Sequence, residues 1–197
     1  MSLVQVKVCG LTRRADVELC LQLGVDRLGF VLAPSPRQLS LEQLDRLLPL
    51  SGCWSAVLVD PSPGLVEDLL ARGCPCLQFH GQETPDFCQQ FRGRARLVKA
   101  LRISSPDQLH VDYPVDEYLL DGPRPGQGQT FQWSWVHGQP VNRPFFLAGG
   151  LHPGNVEEAI RQTCPLGVDV SSGVEERPGC KDPQKLRDFV GRVRALV

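Results

Sequence analysis

The sequence predicts an α/β fold, a compact single-domain (β/α)8 barrel (TIM barrel) formed by residues 1–197. Strand-like runs alternate with helix-like segments along the chain, a pattern typical of parallel strands joined by right-handed crossovers. There are eight strand-like runs, the number needed to close such a barrel. A doubly wound open sheet is the alternative, although it typically has fewer strands.

Each strand-like run is followed by a segment with helical signals or by a loop, as expected for successive parallel βαβ units. The predicted strands are Val4–Cys9, Arg27–Leu32, Trp54–Val59, Cys76–His80, Arg96–Leu101, Glu117–Asp121, Pro144–Ala148 and Gly167–Ser171. After the sixth strand, a loop rich in Gly, Pro and Gln is followed by Trp133–His137. That segment has room only for a short or irregular sixth helix.

Local signals mark where several helices begin and end. Ser40–Gln43 is a capping box, and Thr84 and Asp182 each precede a proline at a first helical position. Helix ends are predicted at Gly24, Gly73 and Gly93. The last helix places five apolar side chains on one face: Leu186, Phe189, Val190, Val193 and Val197.

Composition and charge exclude several classes of protein. Hydrophobic residues make up 42% of the chain and charged residues 22%, as in ordinary globular proteins. The formal net charge of −1 gives no support to binding of nucleic acid or of an anionic membrane. No apolar run approaches the roughly 20 residues that cross a bilayer, and the N-terminus lacks the pattern of a secretion signal. We therefore expect a cytoplasmic protein.

The eight cysteines show no paired C-x-x-C spacing and lie mostly in apolar stretches. We interpret them as reduced cysteines that serve as small apolar side chains. Neither a metal site nor a cofactor motif is predicted.

Polar side chains lie on one face of several predicted strands, which is unusual for parallel strands covered on both faces. Alternation places Lys7 with Cys9, Gln78 with His80, Glu117 with Asp121, and Asp169 with Ser171. Many of these residues lie at the carboxyl ends of strands, where barrels of this type carry their active sites. The alternative is structural: Lys7 and Lys99 pair with Asp169 or Glu117 inside the barrel and satisfy each other's charge.

Two glycine-containing turns predict a phosphate site after the seventh and eighth strands. The first contains Gly149 and Gly150, and the second contains Ser171, Ser172 and Gly173. Free backbone N–H groups, hydroxyls and a helix N-terminus together bind a phosphate dianion. A short helix over Val174–Glu176 would supply that N-terminus.

Cys9 and Asp121 are the candidate base and acid, since each ends a strand beside a glycine. A thiol needs cationic help to form a thiolate, and Lys7 on the same face is placed to supply it. A carboxyl that acts as an acid needs burial to raise its pKa. An acid and a base across one pocket predict proton transfer on a phosphorylated substrate.

The sequence resembles the phosphoribosylanthranilate isomerase family over essentially its whole length. The motifs that carry the resemblance are Lys7–Thr12, Leu28–Arg37, Leu77–Gly81, Leu119–Asp121, Gly128–Trp133, Leu147–Leu151 and Gly167–Val174. The resemblance implies an Amadori rearrangement in tryptophan biosynthesis, with Asp121 as general acid and Cys9 as general base. It also implies that Arg37 pairs with the anthranilate carboxylate and that the glycine-containing turns hold the phosphate.

The resemblance places Gln78, His80 and Asp169 at substrate-contacting positions, with a buried polar network as the alternative. The chain departs from the family pattern at Gln129, where Lys is common, and at Gln132, where Asp is common. His152 replaces a frequent Thr before Pro153, which predicts a weaker helix cap.

Two other functions fit the same residues: a different phosphosugar enzyme on this barrel, and a phosphate-ligand-binding protein without turnover. The expected partner is a small phosphoribosyl substrate, with no nucleic acid and no membrane. The chain is expected to be a monomer or a homodimer.

Overall fold

The computed structural model describes residues 4–48, 53–123, 130–137 and 141–196. Eight parallel strands form one closed ring in chain order. They are β1 (Gln5–Cys9), β2 (Arg27–Val31), β3 (Cys53–Leu58), β4 (Cys76–Phe79), β5 (Arg96–Arg102), β6 (Glu117–Asp121), β7 (Phe145–Leu147) and β8 (Gly167–Val170). The ring closes where β1 pairs with β8, with Lys7 beside Asp169. The closed barrel is confirmed, and the open sheet is wrong.

Six α-helices in the described residues cover the outside of the barrel. They are α1 (Arg14–Gln22), α2 (Leu41–Leu47), α3 (Pro63–Ala71), α4 (Pro85–Gln89), α5 (Val156–Thr163) and α6 (Pro183–Arg194). Ser40, Thr84 and Asp182 cap α2, α4 and α6 as predicted, each accepting a backbone N–H. No helix of the described residues combines the length and apolarity needed to cross a membrane.

The predicted apolar face of the last helix and the predicted ends of three earlier segments are confirmed within the described residues. Leu186, Phe189, Val190 and Val193 are buried on α6, whereas Val197 lies outside the described residues. Gly24, Gly73 and Gly93 all adopt positive φ, between 68° and 77°, which an αL helix end requires.

Among the residues that the structure describes, the fifth and sixth units have only short 3₁₀ turns, at Pro106–Leu109 and Trp133–Trp135. The irregular sixth helix is confirmed, but the lack of an α-helix in the fifth unit is not predicted. Pro106 and Pro114 bound this connection, and Pro114 disfavours helical backbone at the residue before it. The buried Tyr118 hydroxyl holds this connection by donating to the carbonyl of Val111 at 3.0 Å.

The segment after β8 contains a small hairpin. Ser172–Val174 forms a 3₁₀ turn, and β9 (Glu175–Arg177) then pairs antiparallel with β10 (Cys180–Lys181). The short helix predicted over Val174–Glu176 is therefore wrong beyond its first residue. Pro178 and Gly179 form the hairpin turn, and a Pro-Gly pair is the sequence signal that favours a turn over a helix here.

Side chains of the strands separate into an inner and an outer set, as alternation predicts. A small apolar cluster fills the barrel interior: Cys76, Val98, Ala100, Leu119, Phe146 and Ala148. A larger cluster between strands and helices includes Val6 and Val8 of β1. All eight cysteines are free, and five of them are buried among other side chains: Cys20, Cys74, Cys76, Cys88 and Cys180.

The predicted interior ion pairs are partly confirmed. Lys7 Nζ lies 2.7 Å from Asp169 Oδ2 inside the barrel. Lys99 instead pairs with Glu83 at 2.7 Å, because residues 98 and 100 occupy the interior and turn position 99 outward.

Glu117 pairs with arginines at the amino ends of the strands. Arg27 lies 2.8 Å from it, buried and stacked over the Phe146 ring, while the more exposed Arg96 lies at 2.5 Å. Pairing Lys99 with Glu117 is therefore wrong. The amino-terminal end of the barrel is held by Glu117 and two guanidinium groups.

Candidate active site

A pocket of about 250 Å³ opens at the carboxyl ends of the strands. Ten of the predicted site residues line it: Cys9, Arg37, Gln78, His80, Asp121, Gly149, Gly150, Asp169, Ser171 and Ser172. Gly173 is not among the lining residues, although it belongs to the same 3₁₀ turn as Ser172. Six of the seven motifs thus contribute residues to one cavity, whereas the described residues of Gly128–Trp133 do not line it.

Cys9 ends β1 and presents its thiol to this pocket. The neighbouring strand leaves room for it at Gly29, where a Cβ would lie 2.9 Å from the Cys9 Sγ. Lys7, two residues earlier on the same face, donates a hydrogen bond to Asp169, and its ammonium group lowers the pKa of the thiol. The cation expected beside the candidate base is therefore present.

Burial and the neighbouring ammonium groups have opposing effects on the pKa of the Cys9 thiol. Burial raises the pKa of the Cys9 thiol, and Asp169 adds to the increase, while the Lys7 and Lys181 ammonium groups lower it; the net shift is upward. The pKa of Lys7 is lowered by burial but raised more by Asp169 and Cys9, so the ammonium stays charged. The neutral thiol is therefore favoured, and both lysines act in the direction that favours the thiolate.

Asp121 ends β6 and belongs to a chain of hydrogen bonds. Its Oδ1 accepts from the Gly122 N–H at 2.8 Å, and its Oδ2 lies 3.2 Å from His80 Nε2. The Gln78 amide nitrogen lies 3.3 Å from His80 Nδ1. If this amide donates, the ring proton of a neutral His80 is on Nε2 and points to Asp121. Gln78 and His80 therefore form the polar network that orients the carboxyl.

Asp169 has one oxygen committed and one without a partner. Oδ2 accepts from Lys7, whereas Oδ1 is buried and has no hydrogen-bond partner among the described residues. Burial raises the pKa of this carboxyl, although Lys7 lowers it. A buried acceptor is costly to leave unsatisfied, so a hydroxyl of a bound ligand is a fitting partner.

The predicted phosphate site is built from two adjoining turns. Gly149 and Gly150 both have positive φ, 79° and 68°, and Ser171 and Ser172 face them from the end of β8. Gly173 allows the close approach of these turns, because a Cβ there would overlap the carbonyl oxygen of Leu151. Its place is in the packing behind the site.

The His152 position differs from the predicted helix cap. Helix α5 begins at Val156, with Asn155 at the N-cap position, so His152 lies before the helix. The His152 ring accepts from the Gly154 N–H at 3.0 Å. Asn155 accepts from the His152 N–H and donates to the carbonyl of Gly150, which supports the glycine turn.

Arg37 lies at the rim of the pocket and is held by a residue that the sequence analysis missed. Its Nε and Nη2 donate to Glu175 of β9 at 2.8 and 2.6 Å. Glu175 also binds Lys181, whose side chain is fully buried. Glu175 directly follows the predicted phosphate turn, and Lys181 lies six residues further on, but their contacts depend on a hairpin for which no strand pattern was predicted.

The remaining expectations concern metals and the sixth loop. No group of three or more His, Cys, Asp or Glu side chains within the described ranges could hold a metal ion. Gln132 is exposed before the 3₁₀ turn, and Gln129 lies outside the described residues.

Comparison with known proteins shows which family the chain belongs to. The sequence model of the N-(5′-phosphoribosyl)anthranilate (PRA) isomerase family matches residues 6–192. The chain belongs to this family. The resemblance inferred from the motifs is confirmed, and the chain is an enzyme of the isomerase class.

Relatives in the PRA isomerase family match this chain almost from end to end. The isomerase of Desulforudis audaxviator is 38% identical over 204 residues, which cover 98% of each protein. The crystal structure of the isomerase from Thermus thermophilus has a TM-score of 0.89 at 35% identity and covers 98% of this chain and 100% of that one.

A second related structure contains a ligand. It is a PRA isomerase in complex with reduced 1-(o-carboxyphenylamino)-1-deoxyribulose 5-phosphate, with a TM-score of 0.85 and 30% identity, covering 98% of this chain and 100% of that one. The fold and its family are thus shared over the complete barrel.

Proposed function

We propose that this pocket rearranges N-(5-phosphoribosyl)anthranilate to 1-(2-carboxyphenylamino)-1-deoxyribulose 5-phosphate, with Cys9 as general base and Asp121 as general acid. The observation that carries the assignment is the meeting of these two groups in one cavity, from strands β1 and β6. Strands β7 and β8 lie between them and carry the predicted phosphate turns. This reaction is the third step of tryptophan synthesis from chorismate.

The chemistry requires one proton to be delivered and one to be removed. Asp121 protonates the ring oxygen of the ribose, the bond from that oxygen to C1′ breaks, and an iminium (Schiff base) forms with the anthranilate nitrogen. Cys9 thiolate then removes the proton on C2′, and the enolamine that results tautomerises to the ketone. C2′ is oxidised while C1′ is reduced, so the rearrangement needs no external oxidant.

The remaining pocket residues bind different parts of the substrate or orient the acid. Gly149, Gly150, Ser171 and Ser172 bind the phosphate, and Gly173 supports that turn. Asp169 Oδ1, which has no partner among the described residues, accepts a hydrogen bond from a sugar hydroxyl. Gln78 and His80 orient the acid, with His80 also facing the cavity.

Arg37 is assigned to the anthranilate carboxylate. Its Nε and Nη2 are occupied by Glu175, and no hydrogen bond from Nη1 occurs among the described residues. A fixed guanidinium that keeps one nitrogen facing a pocket suits a carboxylate ligand.

The decisive experiment is an isomerase assay on purified, chelator-treated protein, followed by the loss of anthranilate-derivative fluorescence. We expect first-order consumption of the substrate without added metal or cofactor. Binding without consumption would favour a phosphate-ligand-binding protein, and neither binding nor consumption would favour another phosphosugar enzyme. Sedimentation on the same sample distinguishes monomer from homodimer, and the cytoplasmic location stays a prediction.

A further inference from the structure

Lys181 connects two parts of the active site, although it does not line the pocket. Its ammonium donates to the carbonyl of Cys9 at 2.6 Å, to the carbonyl of Ser171 at 3.3 Å and to Glu175 Oε1 at 2.9 Å. The residue is only 1% exposed. One buried cation thus contacts the backbone of the candidate base and that of the phosphate turn.

Glu175 extends the same cluster to the carboxylate-binding side of the pocket. It holds Arg37 through two parallel hydrogen bonds, a geometry that fixes the plane of the guanidinium. The pKa of Glu175 is raised by burial but lowered more by Arg37 and Lys181, so the carboxylate stays ionised. With two cations and one anion, the cluster keeps one positive charge near a substrate that is itself an anion.

The hairpin that carries this cluster is anchored independently. The Thr12 hydroxyl donates to the Gly179 carbonyl at 2.6 Å, and the Lys181 N–H donates to Asp16 at 3.1 Å. Backbone contacts therefore hold the hairpin against the loop after β1 and against α1. The Lys181 side chain is not needed merely to attach it.

We propose that Lys181 and Glu175 are positioning residues for the isomerisation: Lys181 sets the place of Cys9 and Ser171, and Glu175 sets the orientation of Arg37. This rests on the proposed function, and it adds two residues outside the pocket to the groups that control it. A shift of about 1 Å in reacting groups is enough to cost about 10²-fold in rate.

Charge gives Lys181 a second effect that packing alone would not produce. The charged groups near the Cys9 thiol are Lys7 on β1, Asp169 on β8, Lys181 on β10 and Arg37 after β2. Lys181 lowers the pKa of the thiol. Its neutralisation therefore moves the rising limb of the pH–rate profile to higher pH.

The first test compares Lys181→Gln and Lys181→Arg with Lys185→Gln. Lys185 is a matched control, because it is exposed on the next helix and its ammonium donates to the backbone carbonyl of Glu175 rather than to its carboxylate. We expect Lys181→Gln to lower kcat by about 10²-fold. Its pH–kcat profile should shift upward by about 0.5–1 unit.

The variants of this first test are expected to differ in kcat and in the pH dependence of kcat. Lys181→Arg should return the profile towards wild type because it restores the charge, and Lys185→Gln should match wild type. A Lys181→Gln enzyme with the kcat and profile of Lys185→Gln would overturn the proposal for Lys181.

The second test keeps the proposal falsifiable if Lys181→Gln fails to fold. Glu175→Gln is assayed with the anthranilate substrate and with the aniline analogue that lacks the carboxylate. We expect the preference for the carboxylate, as a ratio of kcat/KM, to fall by about tenfold, the loss of one charge-assisted hydrogen bond. An unchanged or increased preference would overturn the role of Glu175. Wild-type enzyme inactive on both compounds would instead refute the proposed function.

Discussion

At the residue scale, the candidate base is defined by the charges around it. Cys9 lies beside Lys7, which is itself paired with Asp169 at 2.7 Å. The lysine therefore serves two anions, the carboxylate and a thiolate when it forms. Because burial raises the pKa of the thiol, the reactive form is the minority species at neutral pH and increases as pH rises.

Replacing Cys9 with serine tests this account. A hydroxyl is a far weaker acid than a thiol, so we expect kcat to fall by about 10²–10⁴-fold, the usual contribution of a general base. The wild-type kcat should rise with pH towards the raised thiol pKa, and this limb should disappear in the variant. Stopped assays across pH measure both. Cys164→Ser, at an exposed cysteine, is the control; near-wild-type turnover of Cys9→Ser would remove the thiol from the mechanism.

Replacing Asp121 with asparagine tests the acid. Asn has nearly the same shape and keeps an oxygen for the Gly122 N–H, but it has no proton to deliver. We expect a loss in kcat of about 10²–10⁴-fold. The inhibition constant of the reduced product should change little, since binding does not need the proton. Turnover within tenfold of wild type would require a different acid.

The meeting of Cys9 and Asp121 in one pocket could be predicted from the sequence, because alternation along a strand decides which side chains face the barrel interior. Lys99 shows the limit of that argument, since its pairing with Glu83 depends on a loop contact sixteen positions away. Arg37 shows another limit. Its motif indicates a pocket residue, but Glu175, which orients it, is placed by a hairpin with no periodic pattern.

At the element scale, the loops after β7 and β8 act as one unit. Gly173 lies against the Leu151 carbonyl, and Asn155 links the Gly150 carbonyl to the His152 N–H. The geometry of the candidate phosphate site thus depends on contacts within and between the loops of two successive βα units. The strands were predictable from their apolar runs, whereas this contact depends on three-dimensional packing. The lack of an α-helix in the fifth βα unit was not predicted, although Pro106 and Pro114 are a sequence signal for it.

Gly173→Ala tests whether these two loops must touch. The added methyl group overlaps the Leu151 carbonyl oxygen, so the loops must separate. We expect KM to increase by about tenfold, because one charge-assisted contact to the phosphate is weakened. The rise in Tm on adding inorganic phosphate should shrink as well. Gly191→Ala in α6, where nothing lies within 4 Å, is the control and should not lower Tm. An unchanged KM would show that the loops bind phosphate independently.

At the scale of the whole molecule, the two ends of the barrel have different tasks. The carboxyl ends hold the pocket, and the amino ends hold the buried pair of Arg27 and Glu117. Phe146 stacks under the guanidinium and separates this pair from the cavity. Stability and chemistry are therefore separable by mutation.

A double-mutant comparison tests that separation. Glu117→Gln leaves Arg27 without a counter-ion in the interior, so we expect a loss of about 3–5 kcal/mol in the free energy of unfolding. The double variant Arg27→Met with Glu117→Leu removes both charges and should recover most of this loss. Urea unfolding measures the stability. The kcat of the folded fraction should stay at the wild-type value in both variants, and a change in kcat would show that the two ends are coupled.

Gly29 lies opposite Cys9 on the adjacent strand, and its missing side chain is the space that the sulfur occupies. A methyl group there would push the sulfur without changing any residue that binds ligand. Directed-evolution libraries that vary only the residues lining the cavity would therefore leave out position 29, which controls the space available to the Cys9 sulfur. Varying positions 29 and 9 together would allow a larger proton acceptor at position 9, or one whose reactive atom lies elsewhere in the pocket.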